Sequence, residues 1–128
     1  MSRRAGQLAQ LERLARLKAD RELRRYAAFR AQSDAMQREL DDARAGLSAA
    51  AAAPTSESPN DWRMATARVG YHAGQLHRAE DALDRLRPGL DAARATAARA
   101  FGRAEALAEL RRLSLAREKE EKQRRQDR

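Results

Sequence analysis

The sequence predicts an all-α protein: an antiparallel two-helix coiled-coil hairpin whose second helix is the longer. Three observations predict it. Counting in sevens from Trp62 lands on Val69, Leu76, Leu83, Leu90, Ala97 and Ala104, and counting from Ala65 lands on His72, Ala79, Leu86, Ala93, Ala100 and Leu107. Apolar residues spaced alternately by three and four give a helix a narrow stripe that a second helix must cover. The first half of the chain offers that cover, because Phe29, Met36 and Ala43 with Tyr26, Ser33, Leu40 and Leu47 follow the same spacing. Between the halves lies the stretch of clear turn composition, Pro54-Thr55-Ser56-Glu57-Ser58-Pro59-Asn60, whose prolines and small polar residues end one helix and start another.

Helix one is expected over about 8–50. Leu8, Leu11, Leu14, Ala15, Leu17, Ala19 and Leu23 crowd its early turns, and the phase drifts, so that Glu12 and Glu22 fall where the later register wants apolar residues. Such an opening is either a frayed amphipathic end or a docking surface. Helix two is expected over about 61–122. Ser58 offers an N-cap, Pro59 suits a first helical position, and Asp61 favours the positive helix end. Pro88-Gly89 admits two readings, a break that makes three helices or a long helix that kinks. The heptad phase favours the second, since Leu83 and Leu86 before the proline stay in step with Leu90 and Ala93 after it.

If Leu47 faces Asp61 across the turn, Leu8 lies near Ala100 and everything after about Leu107 projects without a partner in helix one. At 1.5 Å per residue, helix one would be about 60 Å long and helix two about 90 Å, a stiff rod with unlike ends.

Composition sets bounds on function. The 128 residues form one domain, 1–128, by the usual size prior. Little Leu, Ile, Val or Phe with a net charge of +8 resembles a disordered chain, but Ala, Arg, Glu and Leu are strong helix formers and the large apolar residues keep to one stripe. With no Cys there is no disulfide, thiol catalysis or thiolate metal site, and a reducing cytoplasm is compatible. No secretory signal or membrane span is read, so a soluble protein without membrane insertion is expected.

No catalytic constellation, cofactor site or metal cluster is legible. His72 and His77 are five apart and do not share a helix face, and His72 reads as a packed seam residue. Gly70 and Gly74 read as permitting close helix contact. The sequence pI of about 11.0 raises nucleic acid as a partner, but the basic residues are interleaved with acids along both helices, which disfavours it.

The run Leu11-Glu12-Arg13-Leu14-Ala15-Arg16-Leu17-Lys18, continuing to Tyr26-Ala27, the short polar turn, Asn60-x-Trp62 and the longer charged second helix together resemble the FliJ and YscO family. These are central-stalk coiled-coil proteins of the flagellar and injectisome type III export apparatus. The resemblance implies a non-enzymatic bacterial protein of protein export, cytoplasmic and peripheral to the inner membrane. It implies three partners: a hexameric export ATPase, the cytoplasmic domain of the export gate, and export chaperones. The ATPase end would carry Leu11, Arg13, Leu14, Arg16, Lys18, Leu110, Arg111, Arg112 and Arg117; the gate end would carry Trp62, Met64, Val69 and Tyr71. Ala65 and Arg68 stand here where the family usually carries aromatic residues. The alternatives are a basic nucleic-acid-binding hairpin and a scaffold coiled coil that dimerises through its leucine-rich ends.

Overall fold

A computed structural model describes residues 3–54 and 57–128. The fold is an all-α hairpin of two helices, α1 (Arg3–Ala52) and the longer α2 (Pro59–Gln126). Among the described residues there is no strand. Both helices exceed their expected spans, α1 by a turn at its start and α2 by a turn at its end. Thr55 and Ser56 of the predicted turn lie outside the described residues.

Ser58 occupies the N-cap place, since its carbonyl accepts the first bond of α2 from the Trp62 amide at 3.1 Å. Asp61 lies in the first turn, and Arg124 and Arg125 in the last, each at the helix end whose partial charge it complements. α2 runs unbroken through Pro88, as the preserved heptad phase predicts.

The chain divides into two compact units, one formed by Met1–Ala27 with Ala92–Arg128 and the other by Ala28–Asp91. In the second unit the helices pack around Leu40, Ala79 and Leu83, with Met36 and Leu76 against them. Two glycines receive large side chains there. A Cβ on Gly46 would stand 2.6 Å from His72 Nδ1, and one on Gly89 would stand 3.0 Å from a Phe29 ring carbon. The close approaches therefore fall at Gly46 and Gly89. The Gly70 and Gly74 pair plays no such part: nothing approaches Gly70, and Gly74 meets only Arg78 of its own helix.

The first unit packs differently. Its core is Ala19, Ala100 and Ala104 with Ala15 against them, and Ala93 and Ala97 are buried as well. The seam does not drift out of phase here. Ala5, Glu12, Ala19 and Tyr26 continue one series down to the start of α1, and Leu8, Ala15, Glu22 and Phe29 continue the other. Glu12 and Glu22 are accordingly buried, at 8% and 7% exposure, while Leu11, Leu14, Leu17 and Leu23 are on the outside. Methyl-sized seam residues bring two backbones close and leave no room for leucine between them.

The alignment of the helices also differs from the expected one. Gly46 meets His72, Phe29 meets Gly89, and Glu12 meets Arg111. Each α1 residue thus faces α2 ten or more positions further on than a tight turn from Leu47 to Asp61 requires. The segment after Leu107 is therefore not wholly unpartnered, because Arg111 bonds α1 and Leu110, Leu113 and Arg117 line a groove with Arg4 and Leu8.

Candidate partner-binding surfaces

In the first unit, burial of Glu12 positions two of the basic residues singled out in the sequence. Arg111 Nη1 donates to Glu12 Oε2 at 2.7 Å, and Arg16 Nε donates to Glu12 Oε1 at 3.2 Å. The Arg111 hydrogen bond holds the Glu12 carboxyl below the usual carboxylate range; burial opposes that shift and Arg16 adds to it. Glu22 is less well provided for: Arg21 approaches one oxygen at 3.7 Å, and Oε2 is buried with no hydrogen-bond partner. Arg112 is held by Glu109 at 2.6 Å, an exposed pair that lowers the Glu109 pKa and raises that of Arg112.

Turning the two glutamates inward changes what α1 presents outward. Between Leu11 and Arg25 the exposed charges are Arg13, Arg16, Lys18, Arg21, Arg24 and Arg25 against one carboxylate, Asp20. Among them stand Leu11, Leu14 and Leu17, 51%, 63% and 61% exposed. Across from the first turns of α1, a groove of about 420 Å³ is lined by Arg4, Leu8, Leu110, Leu113, Ser114, Arg117, Glu118 and Glu121.

The proposed ATPase-end residues all lie in this unit. Leu11, Arg13, Leu14, Arg16, Lys18, Leu110, Arg112 and Arg117 are exposed, and Arg111 divides its role between Glu12 and the surface.

The charge is segregated in a way that interleaving along the sequence conceals. The first unit holds nineteen Lys and Arg against nine Asp and Glu, a formal +10; the second holds eight against ten, a formal −2.

The four residues expected at the gate end fall in the second unit, but not on one face. Met64 and Tyr71, seven apart, share a side of α2, and they are 49% and 60% exposed. At 100° per residue, Trp62 lies about 160° around the helix from Met64. Trp62 keeps the seam phase and is nevertheless 58% exposed, because α1 ends at Ala52. Val69 is a half-buried seam residue. A second groove, about 540 Å³, lies beside Tyr71 and His72 with Glu39, Asp42, Gln75 and Arg78 along its walls.

His72 is half-buried over Gly46, with the Tyr71 ring edge-on at 5.3 Å; His77 is exposed and pairs with Asp81 at 3.4 Å. The described residues contain no group of three or more potential metal ligands and no helix long and apolar enough to cross a membrane.

Sequence reading missed three contacts: the Glu12–Arg111 bond, the seat of His72 on Gly46, and that of Phe29 on Gly89. The first had a signal, since Arg111 is the next member of the Trp62 series after Ala104. Comparison of the chain with models of protein families, with characterised proteins and with solved structures finds no match.

Proposed function

We propose that this chain is a non-enzymatic stalk or adaptor of a flagellar-type (type III) protein export apparatus, coupling a hexameric export ATPase to the export gate. The reading rests on the resemblance of Leu11–Lys18 and Asn60-x-Trp62 to the FliJ and YscO family. One observation supports it beyond the sequence: the two compact units of one hairpin carry unlike chemistry. The first is strongly basic, with exposed leucines; the second is slightly acidic and exposes Trp62, Met64 and Tyr71. A chain that joins two different bodies needs two different recognition surfaces, and large aromatic side chains are common anchors of such surfaces. On this reading the protein works in the bacterial cytoplasm, held at the inner membrane by the apparatus, and export chaperones are further partners.

The test is reconstitution. The purified chain should bind the hexameric ATPase and raise its turnover; Arg13→Glu should weaken that effect, and Trp62→Ala should spare it while weakening binding to the gate domain. A chain that neither binds the ATPase nor changes its turnover overturns the reading. The +10 charge of the first unit favours one alternative, nucleic-acid binding, which retardation of DNA or RNA that weakens steeply with salt would establish. The same charge opposes dimerisation through the leucine-rich ends, where two such surfaces would repel.

A further inference from the structure

We propose that the outer face of the first half of α1 is a docking surface for an anionic lipid bilayer, on which the chain rests peripherally. The proposal stands on the chemistry of this face alone and does not require the export reading.

Two independent features point to it. The first is an inversion of the usual order: α1 turns Glu12 and Glu22 into the seam and leaves Leu11, Leu14 and Leu17 outside. Burying a carboxylate whose Oε2 finds no partner costs free energy, while leucines left in water forgo a gain. The leucines recover that gain if the outward face meets something apolar, and the inward turn of the glutamates leaves this face without their negative charge.

The second feature is charge. From Leu11 to Arg25 the surface carries six exposed cations and one exposed anion, within a unit of formal charge +10. Arginine and lysine stems lie along apolar surface while their heads stay wet, and each basic residue near an anionic leaflet adds to the attraction.

The leucines decide between the anionic partners. A nucleic-acid backbone offers them nothing, and this face has no aromatic side chain on which bases could stack. A folded acidic protein would need a socket for each of several leucines standing on a convex helix surface. A bilayer interface adapts to them, taking apolar side chains to acyl-chain depth with the cations at the headgroups.

The experiment is co-sedimentation of the full chain with vesicles of phosphatidylcholine alone and of phosphatidylcholine with phosphatidylglycerol at three to one. The chain should sediment with the anionic vesicles alone and be released by salt. The double variant Leu11→Gln/Leu14→Gln should lower partitioning about tenfold with circular dichroism unchanged, because both side chains are outside the seam. Lys18→Gln/Arg21→Gln should lower it by about as much. Failure to sediment with anionic vesicles overturns the proposal, and so does sedimentation that the leucine variant leaves unchanged. Retardation of a DNA duplex without vesicle binding overturns it in favour of nucleic acid. None of these readouts involves an ATPase, so the result is separate from that of the reconstitution.

Discussion

The seat of His72 on Gly46 makes the alignment of the helices testable by a double-mutant cycle. In a helix interior, Gly→Ala ordinarily stabilises by about 1 kcal/mol, because alanine loses less backbone freedom on folding. At position 46 the new methyl would stand 2.6 Å from Nδ1, 2.8 Å from Cε1 and 3.4 Å from Cγ of His72, so the whole ring must move. Overpacking of this kind costs about 1–3 kcal/mol. Gly46→Ala alone should therefore lose about 1 kcal/mol on balance. In a His72→Ala background the obstruction is gone, and the same change should gain about 1 kcal/mol. The coupling is then about 2 kcal/mol, well above the few tenths expected of independent sites. Urea unfolding of the four proteins, followed by circular dichroism, measures it. If Gly46→Ala stabilises the parent and the His72→Ala protein equally, the two residues do not meet and the alignment is wrong.

Four further outcomes follow from the packing. Leu40→Ala, at a buried seam position, should cost about 2–4 kcal/mol by thermal unfolding, whereas Leu14→Ala should stay within about 0.5 kcal/mol. Glu12→Gln should flatten the acid limb of the stability curve. The folded carboxyl titrates below its unfolded counterpart, so its contribution is complete above the unfolded pKa of about 4.3 and is lost as pH falls through the lower folded value. Acid titration monitored by circular dichroism reads the difference. Glu22→Ala should raise the melting temperature, since it removes a buried oxygen without a partner, worth about 1 kcal/mol or more, and matches the methyl-sized residues of this seam. Pro88→Ala should stabilise by up to about 3 kcal/mol in urea melts, because α2 passes through this position and the missing amide is restored; a broken helix would show no gain.

The heptads of α2 were fully legible because Val69, Leu76, Leu83 and Leu90 are large, regularly spaced and buried or half-buried. The start of α1 was not. A reader of hydrophobicity puts Leu11, Leu14 and Leu17 inside and Glu12 outside, but here small size outweighs apolarity: a seam of Ala15, Ala19, Ala97, Ala100 and Ala104 admits no leucine, and Arg111 neutralises the glutamate that replaces one. The alignment was illegible for another reason. It was inferred from the length of the turn, whereas complementary shapes at Gly46 with His72 and at Gly89 with Phe29 are what mark it. Of the candidate surfaces, the basic and leucine-rich one is legible only as a stretch richer in leucine than a seam needs, since the inward turn of Glu12 and Glu22 that clears its outer face is set by the packing. The aromatic one was read as a single patch, although Trp62 keeps the seam phase and Met64 with Tyr71 takes the opposite side.

The alanine seam has a consequence for how the first unit keeps its place. Successive methyl groups are interchangeable, so a slide by one heptad would leave the contacts among alanines nearly as good as before. The Glu12–Arg111 bond removes that degeneracy. One heptad in one direction would set Glu12 beside Ala104, a methyl with nothing to donate; one heptad in the other would set it beside Glu118, carboxylate against carboxylate. Like a single polar residue in a zipper, this ion pair acts as an index pin: it selects one setting from several that shape alone would tolerate.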